Sequence, residues 1–198
     1  MPELITREDL VSQLEKYKPY DNEEIETKKI FLDFLSKYSN CFLRENELGH
    51  FSSTGVVLNK ERTKILMIYH KIYDSWTWVG GHADGDMNLL YVAIKEAKEE
   101  SGLEDVIPVT EEIFSIDILP VQAHVKKGVD ISAHDHLNTI YVLEANEMDS
   151  LIVNETETNG VKWVPIGDVV KITNEPMMIP VYTKVIDKMG DLGIIHQA

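Results

Sequence analysis

Cysteine and positive charge are scarce in this sequence. The chain has 198 residues and one cysteine, Cys41, which excludes an internal disulfide framework. Lysine and arginine number 19 against 34 aspartates and glutamates, so the formal net charge is −15. No cluster of Lys and Arg stands out, and this argues against duplex nucleic acid or an anionic membrane as the main partner.

Long apolar runs are also missing. No segment approaches the roughly 18 consecutive apolar residues that suggest a membrane span. The start of the chain, Met1-Pro2-Glu3-Leu4, lacks the basic and apolar regions of a signal peptide. We therefore expect a soluble, cytoplasmic protein with no membrane partner. Hydrophobic residues make up 43% of the chain, which is enough for a folded core.

Residue patterning divides the chain into a helical start and a longer mixed region. Residues 5–40 have helical character, with Asp21 as the expected N-cap of a helix whose first turn is acidic. From Gly49 onward, short β-rich runs dominate. The sequence therefore predicts an N-terminal helical extension over residues 1–48 and a second domain over residues 49–198.

The second region alternates between strands and helices. Strands are expected at Ser53–Leu58, Lys64–His70, Trp76–Val79, Ile107–Leu119, Leu137–Leu143 and Val161–Val164, with one more near Val121–Val125. Helices are expected at about Asn88–Ser101, ended by Gly102, and at Ile166–Ile172 and Pro180–Met189.

Three glutamates on the helix after residue 88 form the most informative pattern. Glu96, Glu99 and Glu100 stand at positions i, i+3 and i+4, so they share one helix face within an arc of about 100°. A solvated acidic face is the ordinary explanation of such a cluster. Here, however, the glutamates continue an apolar stripe, which consists of Leu89, Val92 and Ala93. We therefore expect a cleft that holds a cation, with Lys95 and Lys98 on a different side of the helix.

Glycines precede this helix at Gly80-Gly81 and Gly85. They are expected to form a loop that turns tightly and lets the backbone approach a ligand. Magnesium prefers oxygen ligands and keeps waters and substrate phosphates in its shell, whereas zinc favours His and Cys. The carboxylates beside a glycine loop therefore favour Mg²⁺ bound to a diphosphate.

The segment from Gly81 to Leu103 resembles the signature of the Nudix hydrolases. It reads Gly81-x5-Met87-x7-Lys95-Glu96-Ala97-x-Glu99-Glu100-x-Gly102-Leu103, against the family pattern G-x5-E-x7-R-E-U-x-E-E-x-G-U, where U is a bulky apolar residue. The spacing agrees over the whole motif, and the similar layout of strands extends from about Gly49 to Val170.

The resemblance implies an α/β/α sandwich with a mixed β-sheet, and hydrolysis of a small-molecule diphosphate assisted by Mg²⁺ or Mn²⁺. Carried over by position, Glu96, Glu99 and Glu100 would be catalytic metal ligands, and the Gly81 carbonyl would be a further ligand. Water would attack phosphorus while metal ions neutralise the developing charge. Members of the family commonly dimerise, so a homodimer is a further expectation.

Two departures from the family pattern concern one ion pair. Met87 stands where the family has Glu, and Lys95 stands where it has Arg. These positions commonly form a salt bridge that braces the loop against the helix. Asp86, one residue earlier, is a candidate replacement for the missing acid. The departures bear on the catalytic rate more than on metal binding.

Candidates for substrate contacts lie in and outside the motif. Glu157 and Glu155 precede Trp163 in a region that supplies the general base in some members of the family, although a solvated loop is the favoured explanation of either residue. His134 and His136 would face the same side of a strand, and His82 directly follows Gly81. Trp78 could stack on a flat group or pack in the core. We therefore take His82, Trp78, Glu157 and His136 as the substrate-binding candidates.

Three functional hypotheses follow from these residues. The first is a metal-dependent diphosphate hydrolase acting on a nucleoside diphosphate derivative or a related small molecule. The second, motivated by Met87 and Lys95, is a nucleotide-binding or regulatory module that has lost turnover. The third is an isomerase of the isopentenyl diphosphate type, which ranks low because that chemistry relies on a cysteine in the core domain and Cys41 lies in the helical extension.

Overall fold

The structure, a computed structural model, describes residues 4–126 and 129–195. Its α-helices are α1 (Arg7–Lys16), α2 (Asn22–Lys37), α3 (Leu89–Ser101), α4 (Val169–Ile172) and α5 (Ile179–Asp191). Its strands are β1 (Gly49–Asn59), β2 (Lys64–His70), β3 (Ser75–Thr77), β4 (Val79–His82), β5 (Val106–Pro108), β6 (Ser115–Val121), β7 (His124–Lys126), β8 (Val129–Ile131), β9 (His134–Ala145) and β10 (Thr158–Pro165). Short 3₁₀ turns span Ile166–Asp168 and Pro176–Met178.

Side-chain caps fix where the first helices begin. The Thr6 hydroxyl accepts from the Asp9 backbone N–H, and the Asp9 carboxylate accepts from the Thr6 N–H, which completes a capping box. Asp21 caps α2, because its Oδ1 accepts a 2.8 Å hydrogen bond from the Glu24 N–H. The predicted role of Asp21 as an N-cap is therefore confirmed.

The strands form one mixed sheet and a separate two-stranded sheet. The main sheet has the order β10-β2-β1-β9-β5, with β3 paired to β2, β4 to β1 and β6 to β9. Strand β10 runs antiparallel to β2, with Val161 opposite Ile68, and β6 runs antiparallel to β9, with Ile118 opposite Leu137. A mixed sheet accompanied by helices confirms the predicted α/β class.

By compactness the chain falls into two units. The first comprises Met1–Thr54, Gly81–Val92 and Glu112–Tyr141, and the second comprises Gly55–Gly80, Ala93–Glu111 and Val142–Ala198. In the first unit the Phe31 ring meets the Phe51 ring edge-on at 5.3 Å, so α2 and β1 share one apolar core. The boundary after residue 48 stays a prediction.

The second unit has a core of its own, built on β2 and α5. Leu66 and Val185 are fully buried, and the Trp78 ring packs on the Tyr182 ring at 4.3 Å. Gly102 adopts a φ of +76° directly after α3, as expected for a residue that ends a helix in the left-handed region. The predicted end of this helix is therefore confirmed.

The prediction of one strand over Ile107–Leu119 is wrong. The structure has two strands there, β5 and β6, both antiparallel to β9 and separated by residues 109–114. Pro108 has no N–H to donate to a ladder, and polar Thr110-Glu111-Glu112 follows it. These residues explain the break between the two strands.

The glycine loop also differs from expectation. Gly80 and Gly81 belong to strand β4, whereas Gly85 lies in the loop that follows, with a φ of +92°. Only Gly85 therefore needs the conformational freedom that the sequence suggested for all three. Among the residues that the structure describes, no helix combines the length and the apolar character needed to cross a membrane.

Candidate functional site

The acidic cluster lies on the part of α3 that belongs to the second unit. Its three glutamates differ in burial: Glu100 is 2% exposed, the Glu96 side chain is 14% exposed and the Glu99 side chain is 54% exposed. The buried stripe of α3 continues through Ala97 to Glu100. The predicted continuation of the apolar stripe therefore holds for Glu100 and Glu96, whereas Glu99 faces solvent.

Glu100 is held by the backbone of β4. Its Oε2 accepts a 3.0 Å hydrogen bond from the Gly80 N–H. Burial, and to a smaller extent the nearby carboxylates of Glu96, Glu157 and Glu99, raise the pKa of Glu100 to about 8, against the opposing effect of this hydrogen bond. A cation bound beside Glu100 would stabilise the ionised form of its carboxyl group.

Glu96 is in a similar electrostatic environment. Burial raises its pKa, the Lys95 ammonium lowers it, and Glu99 and Glu157 raise it again. Glu157, a candidate drawn from outside the motif, therefore lies near enough to Glu96 and Glu100 to influence both. The Asn154 carbonyl accepts from the Glu157 N–H at 3.1 Å, which fixes the turn that presents Glu157.

The prediction that Lys95 lies on a different side from the glutamates is wrong. Its Nζ lies 3.3 Å from Glu96 Oε1 and 3.6 Å from Glu99 Oε2. A lysine side chain is long and flexible enough to reach a neighbouring helix face, which a helical wheel does not represent. The ammonium group therefore lies within reach of two of the proposed metal ligands.

Asp86 and Asn88 form the start of α3. The Asp86 Oδ1 accepts from the Asn88 N–H at 2.8 Å, and the Asn88 Oδ1 accepts from the Tyr91 N–H at 3.0 Å. The Asp86 carboxylate thus organises the loop ahead of the helix. Lys95 has Glu96 and Glu99 as its ion-pair partners, so the suggestion that Asp86 replaces the family's acid gains no support.

Histidines from three strands meet in the first unit. His50 at the start of β1, His82 at the end of β4 and His136 on β9 each offer one ring nitrogen, and these atoms lie within 4.8 Å of one another. The His134 Nε2 lies 3.3 Å from the His136 Nε2, which confirms that these two side chains face the same side of β9. Two sequence candidates, His82 and His136, are therefore brought together.

Sequence reasoning missed the third member of this cluster, His50. It is 3% exposed, and neither of its ring nitrogens meets a hydrogen-bond partner of ordinary length and angle. Burial lowers the pKa of His50, and burial together with the neighbouring histidines lowers the pKa of His136 to about 2. The only local signal was a histidine placed beside Gly49 at the start of a strand.

Arg44 and Asp84 form an ion pair in the same unit. The Arg44 Nε and Nη2 donate to the two Asp84 carboxylate oxygens, each at 2.6 Å. Asp84 has a φ of +48°, which is uncommon for a residue other than glycine. The Asp84 side chain is about half exposed and anchors the loop after β4 through this bidentate bond.

Trp78 lies in the core of the second unit. It is 5% exposed and packs against Tyr182, so little of its ring is open to a ligand. Trp78 therefore packs in the core and does not offer a surface on which a substrate could stack.

The family model of the NUDIX domain matches residues 49–187. The match covers well over half of the chain, and the protein belongs to the Nudix family. No curated protein matches the chain in sequence.

Solved structures of the same fold come from several organisms. A C. elegans Ap4A hydrolase in a binary complex is 19% identical, with a TM-score of 0.53 over 73% of this chain and 97% of that one. The E. coli dihydroneopterin triphosphate pyrophosphohydrolase is 15% identical, with a TM-score of 0.51 over 69% and 94%. The NUDIX domain of Shewanella oneidensis NrtR, complexed with ADP ribose, is 11% identical, with a TM-score of 0.50 over 79% and 97%. At these identities the likeness shows the fold, and it confirms the predicted Nudix-type α/β/α class.

Proposed function

We propose that the protein hydrolyses a diphosphate linkage in a nucleoside diphosphate derivative or a related small molecule, using Mg²⁺ or Mn²⁺. Glu96, Glu99 and Glu100 would hold the cation. The family motif implies one further ligand, the backbone carbonyl oxygen of Gly81. Membership of the Nudix family supports hydrolysis as the reaction class.

The observation that carries the proposal is the electrostatic coupling among the glutamates. Glu96, Glu99 and Glu157 all raise the pKa of the buried Glu100. The donor set contains only oxygen, which suits a hard divalent cation better than zinc. A cation bound there would neutralise charge on the diphosphate and supply an activated water.

The residues of the chain have separable roles in this proposal. The Gly80 N–H orients the Glu100 carboxylate, and the exposed Glu99 is the ligand most open to an incoming substrate. Glu157 is the candidate general base, because it is exposed and electrostatically coupled to Glu96 and Glu100. Trp78 has no role as a substrate contact in this proposal, since its ring is buried.

A substrate panel tests the proposed activity. We expect release of phosphate or a nucleoside monophosphate from at least one member of a panel that includes Ap4A, ADP-ribose and nucleoside diphosphate sugars, with Mg²⁺ or Mn²⁺ present and not with EDTA. Product release is measured by ion-exchange chromatography. The panel also contains dihydroneopterin triphosphate. This compound, Ap4A and ADP-ribose are the small molecules associated with the three similar solved structures. If no member turns over while several bind, the hydrolase proposal is wrong.

A second candidate function is a nucleotide-binding or regulatory module with little or no turnover. The position of Lys95 favours it, because the ammonium group contacts Glu96 and Glu99 and competes there with a divalent cation. Met87 offers no carboxylate that could engage this lysine in the manner of the family. Binding of a panel member, measured by calorimetry, without formation of product would distinguish this module from an enzyme.

Restoring the family's ion pair tests the importance of Lys95. We expect the double substitution Met87→Glu with Lys95→Arg to preserve or raise activity, because an acid at 87 gives the cation at 95 a partner away from the metal ligands. The measurement is the Mg²⁺ dependence of turnover, with a lower half-saturating concentration expected. Lys98→Arg, an exposed lysine on the same helix, is the control and should change nothing. A collapse of activity in the double variant alone would show that Met87 and Lys95 are specialised for this protein.

A further inference from the structure

We propose that His50, His82 and His136 form a second metal site, specific for a borderline cation such as Zn²⁺. Its ligands are nitrogens, in contrast to the oxygens of the α3 carboxylates. The site lies within the first unit and uses residues outside the three glutamates of the family motif.

The spacing of the ring nitrogens suits a small cation. Zinc–nitrogen bonds of about 2.0–2.1 Å place two tetrahedral ligands about 3.3 Å apart. The three ring nitrogens lie within 4.8 Å of one another, so modest rotation of the rings closes them onto one ion. The rings of His50 and His82 are 5.1 Å apart between centroids, and those of His82 and His136 are 4.8 Å apart, so no other side chain separates these pairs.

His134 is placed to supply the fourth ligand. Its Nε2 lies 3.3 Å from the His136 Nε2, which is the separation expected of two ligands on one tetrahedral zinc. Its Nδ1 lies 2.8 Å from the Ser132 carbonyl oxygen. A proton on Nδ1 donated to that carbonyl leaves the Nε2 lone pair facing the cluster, which is the arrangement by which proteins commonly orient metal-binding histidines.

The burial of His50 is the second observation that points to a ligand. Both of its ring nitrogens are shielded from solvent and make no hydrogen bond of ordinary length and angle with the described residues, although the Asn46 backbone lies near enough to raise the pKa of His50. Buried polar atoms in native proteins nearly always have a partner. A polar strand edge, the ordinary explanation of His134 and His136, does not account for a buried imidazole turned toward three others. A cation coordinated by one of its nitrogens does.

Metal binding by the untagged chain tests the site. After EDTA treatment and desalting, the protein is titrated with Zn²⁺ against a chromophoric chelator, and separately with Co²⁺ while visible absorption is recorded. We expect one equivalent of tightly bound Zn²⁺ and Co²⁺ bands of tetrahedral intensity. His82→Ala and His136→Ala should weaken Zn²⁺ binding by at least about 100-fold, because each removes a direct ligand.

Two controls keep the outcome clear even if one variant folds poorly. His70→Ala removes a histidine of the second unit, where the His70 Nδ1 lies 3.3 Å from the Ile72 N–H, and it should bind Zn²⁺ like the natural protein. Glu99→Gln should leave Zn²⁺ affinity unchanged. His82→Gln, with circular dichroism to verify folding, repeats the ligand test with a polar side chain. Full Zn²⁺ binding by folded His82 and His136 variants, or its loss in Glu99→Gln alone, would overturn the proposal.

Discussion

Replacing Glu99 or Glu100 by glutamine is expected to lower turnover of a hydrolysable diphosphate by about 100-fold or more, with the fold intact. Each substitution removes one negative oxygen from the proposed cation site and leaves the size of the side chain almost unchanged. The loss of Glu99 disrupts only a partly exposed contact with Lys95 at 3.6 Å, which contributes little to stability. Turnover should therefore fall while the stability of the fold stays nearly unchanged. Steady-state kinetics at varied Mg²⁺ concentration measures the turnover.

Glu100→Gln gives a second, thermodynamic readout. The pKa of Glu100 is raised in the folded protein, so the folded state binds this proton more tightly than the unfolded state. Stability of the metal-free protein is then lost as pH rises from the ordinary carboxyl range towards about 8. Glutamine does not ionise and can still accept from the Gly80 N–H. The melting temperature of Glu100→Gln in EDTA at pH 8.5 should equal or exceed that of the natural protein.

Glu26→Gln is the matched control for these substitutions. Glu26 is an exposed helical glutamate whose Oε1 lies 2.7 Å from the Lys29 Nζ, so the change removes a comparable surface ion pair on another helix. It should leave both kinetics and melting temperature unchanged. Near-normal turnover in both Glu99→Gln and Glu100→Gln would place the cation elsewhere. A large loss of stability in Glu100→Gln would mean that its charge is structural.

The local features of α3 could be predicted from the sequence, because they depend on helical spacing and on residues close in the chain. Gly102 ends the helix as predicted, and Glu100 continues the buried stripe. The position of Lys95 could not be predicted in the same way. A helical wheel fixes the direction of Cβ, whereas the ammonium group lies several rotatable bonds further out and moves to the nearest carboxylates.

The histidine cluster shows where sequence reasoning ends. The spacing of His134 and His136 predicted that they share one strand face, and the 3.3 Å between their Nε2 atoms agrees. His50 and His82 join them only because β1, β4 and β9 belong to one sheet. Strand order depends on contacts between distant segments, and no local pattern in this chain encodes it. The break between β5 and β6 is a different case, because Pro108 and the polar residues after it are a local signal that the sequence does contain.

Glu24→Ala is expected to produce the largest loss of stability. Glu24 is fully buried on α2, and its carboxylate accepts from the Tyr17 hydroxyl at 2.5 Å, the Tyr20 N–H at 2.7 Å and the Ser115 hydroxyl at 2.6 Å. Alanine leaves these donors without that acceptor, and two of them are buried hydroxyls. Hydrogen bonds to a charged group and the cost of unsatisfied donors together suggest about 3 kcal/mol. For a chain of this size that corresponds to a fall of roughly 10 °C in melting temperature.

The adjacent glutamate separates this network from a general effect of charge on α2. Glu23 lies in the same helical turn and is exposed, so Glu23→Ala should lower the free energy of unfolding by about 0.5 kcal/mol, the scale of a helix-dipole contact. Ser115→Ala removes one of the three donors and should produce an intermediate loss. Chemical denaturation followed by tyrosine and tryptophan fluorescence measures all three. Equal effects of Glu23→Ala and Glu24→Ala would contradict the network, because Glu24 accepts from the Tyr17 hydroxyl and from Ser115 on β6, whereas Glu23 is exposed.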